Sequence, residues 1–406
     1  MAPTDSSTAR PRRSLSKSDA ELAPGPAPSV SVQYSSGKVT GWVSLLPSSW
    51  VPYVQLARLS LPAALILIYI PTLSGVLLAA ILARRGGGGS SSDVHFPASW
   101  WYTCIILLIG SFFFSNAAHA WDDLADAPID MLIARTARRP IPRGAVSRPA
   151  AFAFVVANAL GAAAVLLLGF PDPAAALRYA LPNVLATAYY PYAKRHTYVP
   201  QLVLGFCIAW GAVMGALAVG CEPFTLGSTH SVLRLALDTP LLLLTATTTT
   251  STAAAAARPI PATLTLGPLT VSTPFLGLFT ALTLWSAIYD TIYAAEDFEA
   301  DVRLGLGSLA VLFGLRHTKT ALYALLACLV AGLVVCGLSA GVQAAAFYVL
   351  APGGCALALG AMVASVDLRD ARSTWWWFMY GYWLVGGAIL GGLGVELVTR
   401  MGGVGF

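Results

Sequence analysis

Apolar residues in this chain gather into long unbroken runs, with polar residues confined to the stretches between them. A helix needs about 20 mainly apolar residues to cross the hydrocarbon layer of a membrane. Runs of that kind lie at roughly 59–83, 100–121, 149–170, 175–192, 200–221, 272–296, 318–340, 342–366 and 375–399. Arg178 and Pro182 interrupt the fourth run. A further apolar stretch at 233–244 is short and carries Asp238 and Pro240, so it reads as an interfacial or loop segment, with a tenth span as the alternative. The predicted fold class is all-α, a polytopic membrane bundle of about nine transmembrane helices.

Composition points the same way. Of the 406 residues, 57% are hydrophobic and 11% charged, against about 25% charged in soluble globular domains. Mean hydropathy is +0.70. A soluble globule is excluded, and so is disorder over most of the chain, which requires low hydrophobicity and high charge. The six cysteines are scattered, with no CxxC pair and no Cys/His spacing suited to metal, so they read as small buried hydrophobes.

Charge orients the bundle. With nine spans, the N-terminus and the loops after the even-numbered spans share one face, and these segments hold 18 of the 24 Lys and Arg residues. Basic residues in short loops favour the cytoplasmic or matrix face. Residues 1–50, rich in Ser, Pro and Arg, read as a disordered or targeting segment, with Asp5, Asp19 and Glu21 counting against a mitochondrial leader. The membrane domain then covers 51–406, with flexible loops near 86–92 (Gly and Ser) and 222–270, which includes a Thr/Ala tract.

The candidate chemistry lies in the acids. Nine of the 19 acidic residues fall in two windows at the ends of apolar runs: Asp122, Asp123, Asp126 and Asp130 in WDDLADAPID, and Asp290, Glu296, Asp297, Glu299 and Asp301 in YDTIYAAEDFEAD. Carboxylates at membrane depth are costly and normally functional. Spacing of four places Asp122, Asp126 and nominally Asp130 on one helical face, and Asp297 with Asp301. Pro128 is expected to end the first helix, leaving Asp130 to reach the site from a loop. Both windows follow even-numbered spans and so share a membrane face. Two oxygen-only clusters facing each other call for a hard cation, and Mg2+ shared with substrate phosphate is the usual arrangement. Arg135, Arg138, Arg139, Lys194 and Arg195 nearby suit a diphosphate.

Each feature has a plainer explanation. One acidic run at a helix end is commonly a solvated cap, and Arg-rich loops can reflect topology alone. His119, one turn before Asp123, reads more simply as a polar wall residue than as a ligand or general base, and Trp375–Trp377 as an interfacial aromatic belt. Two spaced acid motifs on one face of a bundle are harder to dismiss. A transporter would need charges along its path through the bundle, whereas these acids cluster at one end.

At these residues the chain resembles the UbiA superfamily of intramembrane prenyltransferases. The family pattern NDxxDxxxD followed by RTxxRP is matched by Asp122-Asp123-Leu-Ala-Asp126-Ala-Pro-Ile-Asp130, then Arg135-Thr136-Ala-Arg138-Arg139-Pro140. The pattern YDTxYAxxDxxxD is matched from Tyr289 through Asp297 and Asp301, with Gly305 and Ser308 beyond. The segment 190–205 resembles the family's stretch after span four, and GWVSLLPSSWVPYVQLARL resembles fungal 4-hydroxybenzoate polyprenyltransferases and their meroterpenoid relatives.

The resemblance implies nine helices around a central cavity, capped by the motif loops. It implies Mg2+ on Asp122, Asp126, Asp130, Asp297 and Asp301. Arg58, Arg135, Arg139, Lys194 and Tyr293 would contact the prenyl diphosphate or the aromatic acceptor, and Asp123, Asp126, Asp297 and Asp301 would be catalytic. Three departures stand out: Asp122 replaces the family's Asn, Ser60-Leu61-Pro62 replaces a segment with a basic residue, and Ser115 and Ala118 replace an Arg and a Gly. They favour a specialised enzyme acting on a phenolic or polyketide acceptor, such as an orsellinic-type acid, in an endomembrane such as the endoplasmic reticulum. The alternative is 4-hydroxybenzoate polyprenylation in ubiquinone synthesis, in the mitochondrial inner membrane. Neither a nucleic acid nor an obligatory protein partner is expected.

Overall fold

The computed structural model describes residues 41–59, 63–84, 100–133, 135–226, 260–266 and 269–402. The sequence expectations for the N-terminal 40 residues, for 60–62, for the Gly-Ser run at 86–92, for the apolar stretch at 233–244 and for the Thr/Ala tract lie outside them.

Two short elements precede the bundle: a 3-10 turn at Gly41–Leu45 and helix α1 at Val51–Leu56. Val43 and Leu56 are buried. The long helices are α2 (Ala63–Ala83), α3 (Trp100–Asp130), α4 (Arg148–Gly169), α5 (Pro173–His196), α6 (Pro200–Leu217) and α7 (Thr273–Ala294). After the short α8 (Phe298–Leu304) come α9 (Leu309–Ala340), α10 (Ala345–Tyr348), α11 (Gly354–Ser365) and α12 (Ala371–Gly402). Among the described residues, eight helices are long and apolar enough to cross a membrane. Helix α5, with Arg178, Asn183 and Lys194 along it, is not one of them, although it runs unbroken through Pro182 and Pro191.

The long helices close a ring in chain order, α2 against α3, on through α4, α5, α6, α7, α9 and α11 to α12, which returns to α2. Helix α2 also packs across the ring on α6. Without a hydrophobic driving force in lipid, such contacts depend on close van der Waals approach between small residues. A Cβ added at Gly75 would stand 1.9 Å from the Ala212 carbonyl oxygen, and one at Gly215 would stand 1.9 Å from that of Thr72. Only glycine allows the two backbones to meet there.

Several local expectations are corrected. Helix α3 continues through Pro128 to Asp130, because proline removes one amide hydrogen bond and the next turn is still closed by Met131 N donating to Ala127 O. The eighth run opens into a π-turn at Val349–Gly353 around Pro352. Helix α9 is kinked at Gly314, whose φ of 68° and ψ of 150° are tolerated by glycine alone. The long loop contributes a small antiparallel sheet in the order β1-β3-β2, from Phe224–Leu226, Leu269–Ser272 and Thr263–Leu266. Phe224 pairs with Val271 and Thr263 with Ser272, an alternation of Thr with apolar residues that favours strand. This sheet leads directly into the N-terminus of α7, so it lies at the end of the bundle away from the second acidic window.

The α2–α6 crossing yields a direct test. Gly215→Ala is expected to cost about 1–3 kcal/mol and lower the thermal midpoint of the detergent-purified protein. Gly387→Ala, where nothing lies within 4 Å of the added Cβ, should leave it unchanged.

Candidate active site

Helix α3 builds one wall of the site. Phe114, Ala118, Asp122, Asp126 and Asp130, every fourth residue, all line one cavity. Because α3 is continuous, the stripe passes along a single helix face from hydrocarbon to three successive carboxylates. The opposite wall comes from α7 and the two short elements after it: Ser286, Asp290, Tyr293, Asp297 and Asp301 line the same cavity. Here the helix gives way to a 3-10 turn at Ala295–Asp297 before α8, so Asp297 and Asp301 lie on two short elements rather than one long face. The cavity volume is 230 Å3.

Bases from three separate segments pair with Asp122, Asp123, Asp126, Asp130 and Asp297. Arg58, just after α1, donates from Nη2 to Asp122 at 3.2 Å and to Asp123 at 3.1 Å. Arg139 Nη1 lies 3.1 Å from Asp123 Oδ1 and 2.9 Å from Asp130 Oδ2. Lys194, in the last turn of α5, donates to Asp126. Arg135 holds Asp297 by two guanidinium nitrogens, Nε at 3.1 Å and Nη2, and donates from Nη1 to the Tyr293 hydroxyl. Burial alone would weaken the Arg135 charge; Asp297 and Tyr293 more than offset it, so its pKa is raised well above the ordinary value. The Arg135 clamp draws the loop after α3 over the second acidic window. Thr374, at the start of α12, fixes the neighbouring Glu296 by donating at 2.7 Å.

Arg58 has a backbone φ of 55°, the one non-glycine residue with positive φ among those described. Such a conformation is strained and is retained where the surroundings enforce it. Here it aims the guanidinium at Asp122 and Asp123.

The structure brings together Arg58, Asp122, Asp126, Asp130, Arg135, Arg139, Lys194, Tyr293, Asp297 and Asp301 as lining residues. Asp123 is the exception: it is fully buried behind the wall, bridging Arg58 and Arg139. Tyr190 and Ser286 also line the cavity, as does Asp290, an acid of the second window to which the sequence assigns no ligand or catalytic role. His119 is in the wall, its Nδ1 3.2 Å from the Ser115 hydroxyl. Trp375 stacks against Phe378, so part of the tryptophan run packs toward the site instead of forming a belt alone.

The donor set suits a hard divalent cation: the acids offer only oxygen. Asp126 Oδ1 is buried without a hydrogen-bond donor, Arg195 Nη2 being 3.5 Å away, and Asp123 Oδ2 is likewise unsatisfied. Among the described residues, no three acidic, His or Cys side chains converge to hold an ion, since each acid on α3 is turned toward a base. The residues therefore fit the metal in chemistry, and the acids must turn from their bases to bind it.

Beyond Ala118 the cavity adjoins a larger apolar chamber of 490 Å3 between α2, α3, α4, α5 and α6. Ile68, Phe114, Ala118, Thr187, Cys207 and Ile208 line both spaces. A polar, cation-rich end thus runs into a hydrocarbon-lined one.

Known proteins resemble this chain in sequence and in fold. The 4-hydroxybenzoate polyprenyltransferase of Saccharomyces cerevisiae mitochondria is 28% identical over 83% of this chain and 74% of its own length. The polyprenyl transferase andD of Emericella variicolor is 30% identical over 82% of this chain and 83% of its own. In fold, the apo structure of a UbiA homologue from Aeropyrum pernix superposes with a TM-score of 0.54 at 23% identity, covering 82% of this chain and 98% of that one. Residues 75–385 match the model of the UbiA prenyltransferase family. The chain is therefore a prenyltransferase and integral membrane protein belonging to the UbiA family.

Proposed function

We propose that this enzyme transfers a prenyl group from a prenyl diphosphate to a phenolic, polyketide-type acceptor with the help of Mg2+. The observation that carries the reading is the continuity of the acidic and basic cavity with the apolar chamber. The donor is itself amphipathic in this way, with a polyanionic head and a hydrocarbon tail. Lys194, Arg135 and Arg139 are placed to take the diphosphate oxygens, with Arg135 and Arg139 able to do so in bidentate fashion. Of the five acids that the resemblance assigns to the ion, Asp126, Asp130, Asp297 and Asp301 would hold it, with Asp122 kept on Arg58. Bound there, Mg2+ would offset the charge that builds on the leaving diphosphate.

The chain's aromatic residues face the other half of the reaction. Tyr293 and Phe378 stack with centroids 4.5 Å apart, Tyr289 and Phe378 at 5.1 Å, and all three line the cavity. The Arg135 guanidinium stands over the Tyr293 ring, 4.9 Å from its centroid, so the stack forms a wall held by that cation. As the C1–O bond breaks, its electron pair leaves with diphosphate. The ring π-electrons of the acceptor form the new C–C bond, and loss of the ring proton restores aromaticity. Asp123 acts as a positioning residue by fixing Arg58 and Arg139.

A second reading is 4-hydroxybenzoate polyprenylation for ubiquinone, supported by the relative in yeast mitochondria. The compartment follows the acceptor: an endomembrane for the first reading, the mitochondrial inner membrane for the second.

Membranes carrying the protein should form a prenylated phenol when given Mg2+ and geranyl or farnesyl diphosphate. The acceptor panel would contain an orsellinic-type compound and 4-hydroxybenzoate, each as acid and methyl ester. Product mass identifies the acceptor, EDTA should abolish the product, and donor consumed without any prenylated aromatic would refute the reading. Asp126→Ala and Asp297→Ala should each lower turnover by more than about 100-fold while the protein stays in the membrane. Ala162, on the α4 wall of the chamber, tests the tail assignment. Ala162→Phe should impair farnesyl more than geranyl transfer, and an equal loss for both would place the tail elsewhere.

A further inference from the structure

The stripe on α3 has a direction. Phe114 and Ala118 belong to both cavities, so Asp122 is the first carboxylate met on leaving the hydrocarbon end. On α7, Asp290 occupies the corresponding level, with Asp297 and Asp301 further along. On the proposed reading, the diphosphate lies among Lys194, Arg135 and Arg139 and the tail lies in the chamber. The reactive allylic carbon, and the ring that attacks it, then fall between, beside Asp122 and Asp290.

The charge at this level is unfavourable for an anion. Arg58 is the cation drawn to it, and its Nη2 is already shared between Asp122 and Asp123. Asp123 is fully buried, so releasing Arg58 would leave a carboxylate without water or a full complement of counter-charge. Arg139 also pairs with Asp123, and on the proposed reading it turns to the diphosphate, so buried Asp123 then depends all the more on Arg58. Over the whole lining, six carboxylates face four cationic side chains, and a dication arriving with a trianionic diphosphate would leave the net charge negative. Like charges juxtaposed in such a poorly solvated site repel strongly. A phenolic hydroxyl, by contrast, could donate a hydrogen bond to Asp122 or Asp290.

We infer that the acceptor carries no carboxylate: Asp122, with Arg58 committed to it, selects a neutral phenol, such as an ester or a decarboxylated ring, over the corresponding acid. Asp122 is thereby a specificity-determining residue. This rests on the aromatic prenyl transfer proposed above.

The test compares matched acceptors in kcat/KM on the membrane-bound enzyme: 4-hydroxybenzoate, its methyl ester and its primary amide, and an orsellinic-type acid with its ester. The amide is neutral yet polar, so it separates charge from partitioning into lipid. Wild type should favour ester and amide over acid by about tenfold or more. Asp122→Asn should shrink that ratio by raising use of the acid. A wild-type preference for the acids would overturn the inference and leave prenyl transfer standing. A ratio unchanged in Asp122→Asn would remove Asp122 from the role, and absence of any prenylated product would overturn both readings. Should the variant fail to fold, the wild-type ratio among acid, ester and amide still decides.

Discussion

A carboxylate carried into an apolar bundle must find a cation, and this requirement shapes the whole functional end of the protein. Asp122 and Asp123 take Arg58 from the segment before the first long helix. Asp126 takes Lys194 from the end of α5, Asp130 takes Arg139, and Asp297 takes Arg135. Four regions far apart in sequence, around Arg58, Asp122–Arg139, Lys194 and Asp297, are thereby tied to one point. On the proposed reading, an incoming diphosphate and its metal would exchange with partners already in place.

The rest of the bundle supplies contrast. Helices cross on glycine at Gly75 and Gly215, close enough to exclude side chains, while the α3–α4–α5 side leaves an apolar chamber open. Ionic groups at the far end of α12 serve structure. Arg400 donates to the carbonyls of Ile81, Ala340 and Gly341 and pairs with buried Glu396, which accepts from Ala344 N. These carbonyls belong to the C-terminal ends of α2 and α9, where a cation is favoured. Charge thus fastens helices at one end and, at the other, gathers around a cavity.

Where sequence reasoning missed, the cause was a local rule overridden by its surroundings. Pro128 looked like a helix terminator, but a single lost amide bond does not stop a helix whose next turn still closes. The strands at 263–266 and 269–272 were hidden in a segment read as a loop, because each is only four residues long. Asp123 shares a motif with Asp122 and Asp126, yet its side chain points away from the cavity, since adjacent helical residues cannot share a face.

The sequence alone determined the membrane setting, the approximate spans, the two acidic windows and the family, because apolar run length and carboxylate spacing are properties of neighbouring residues. It also supplied the acids and bases from which the site is built. Only the tertiary structure decided which base holds which acid, that Asp123 stands behind the wall, that Glu296 is anchored by Thr374, and that an apolar chamber opens beside Ala118. Those outcomes depend on how helices distant in the chain are rotated and packed against one another, and no local pattern encodes that.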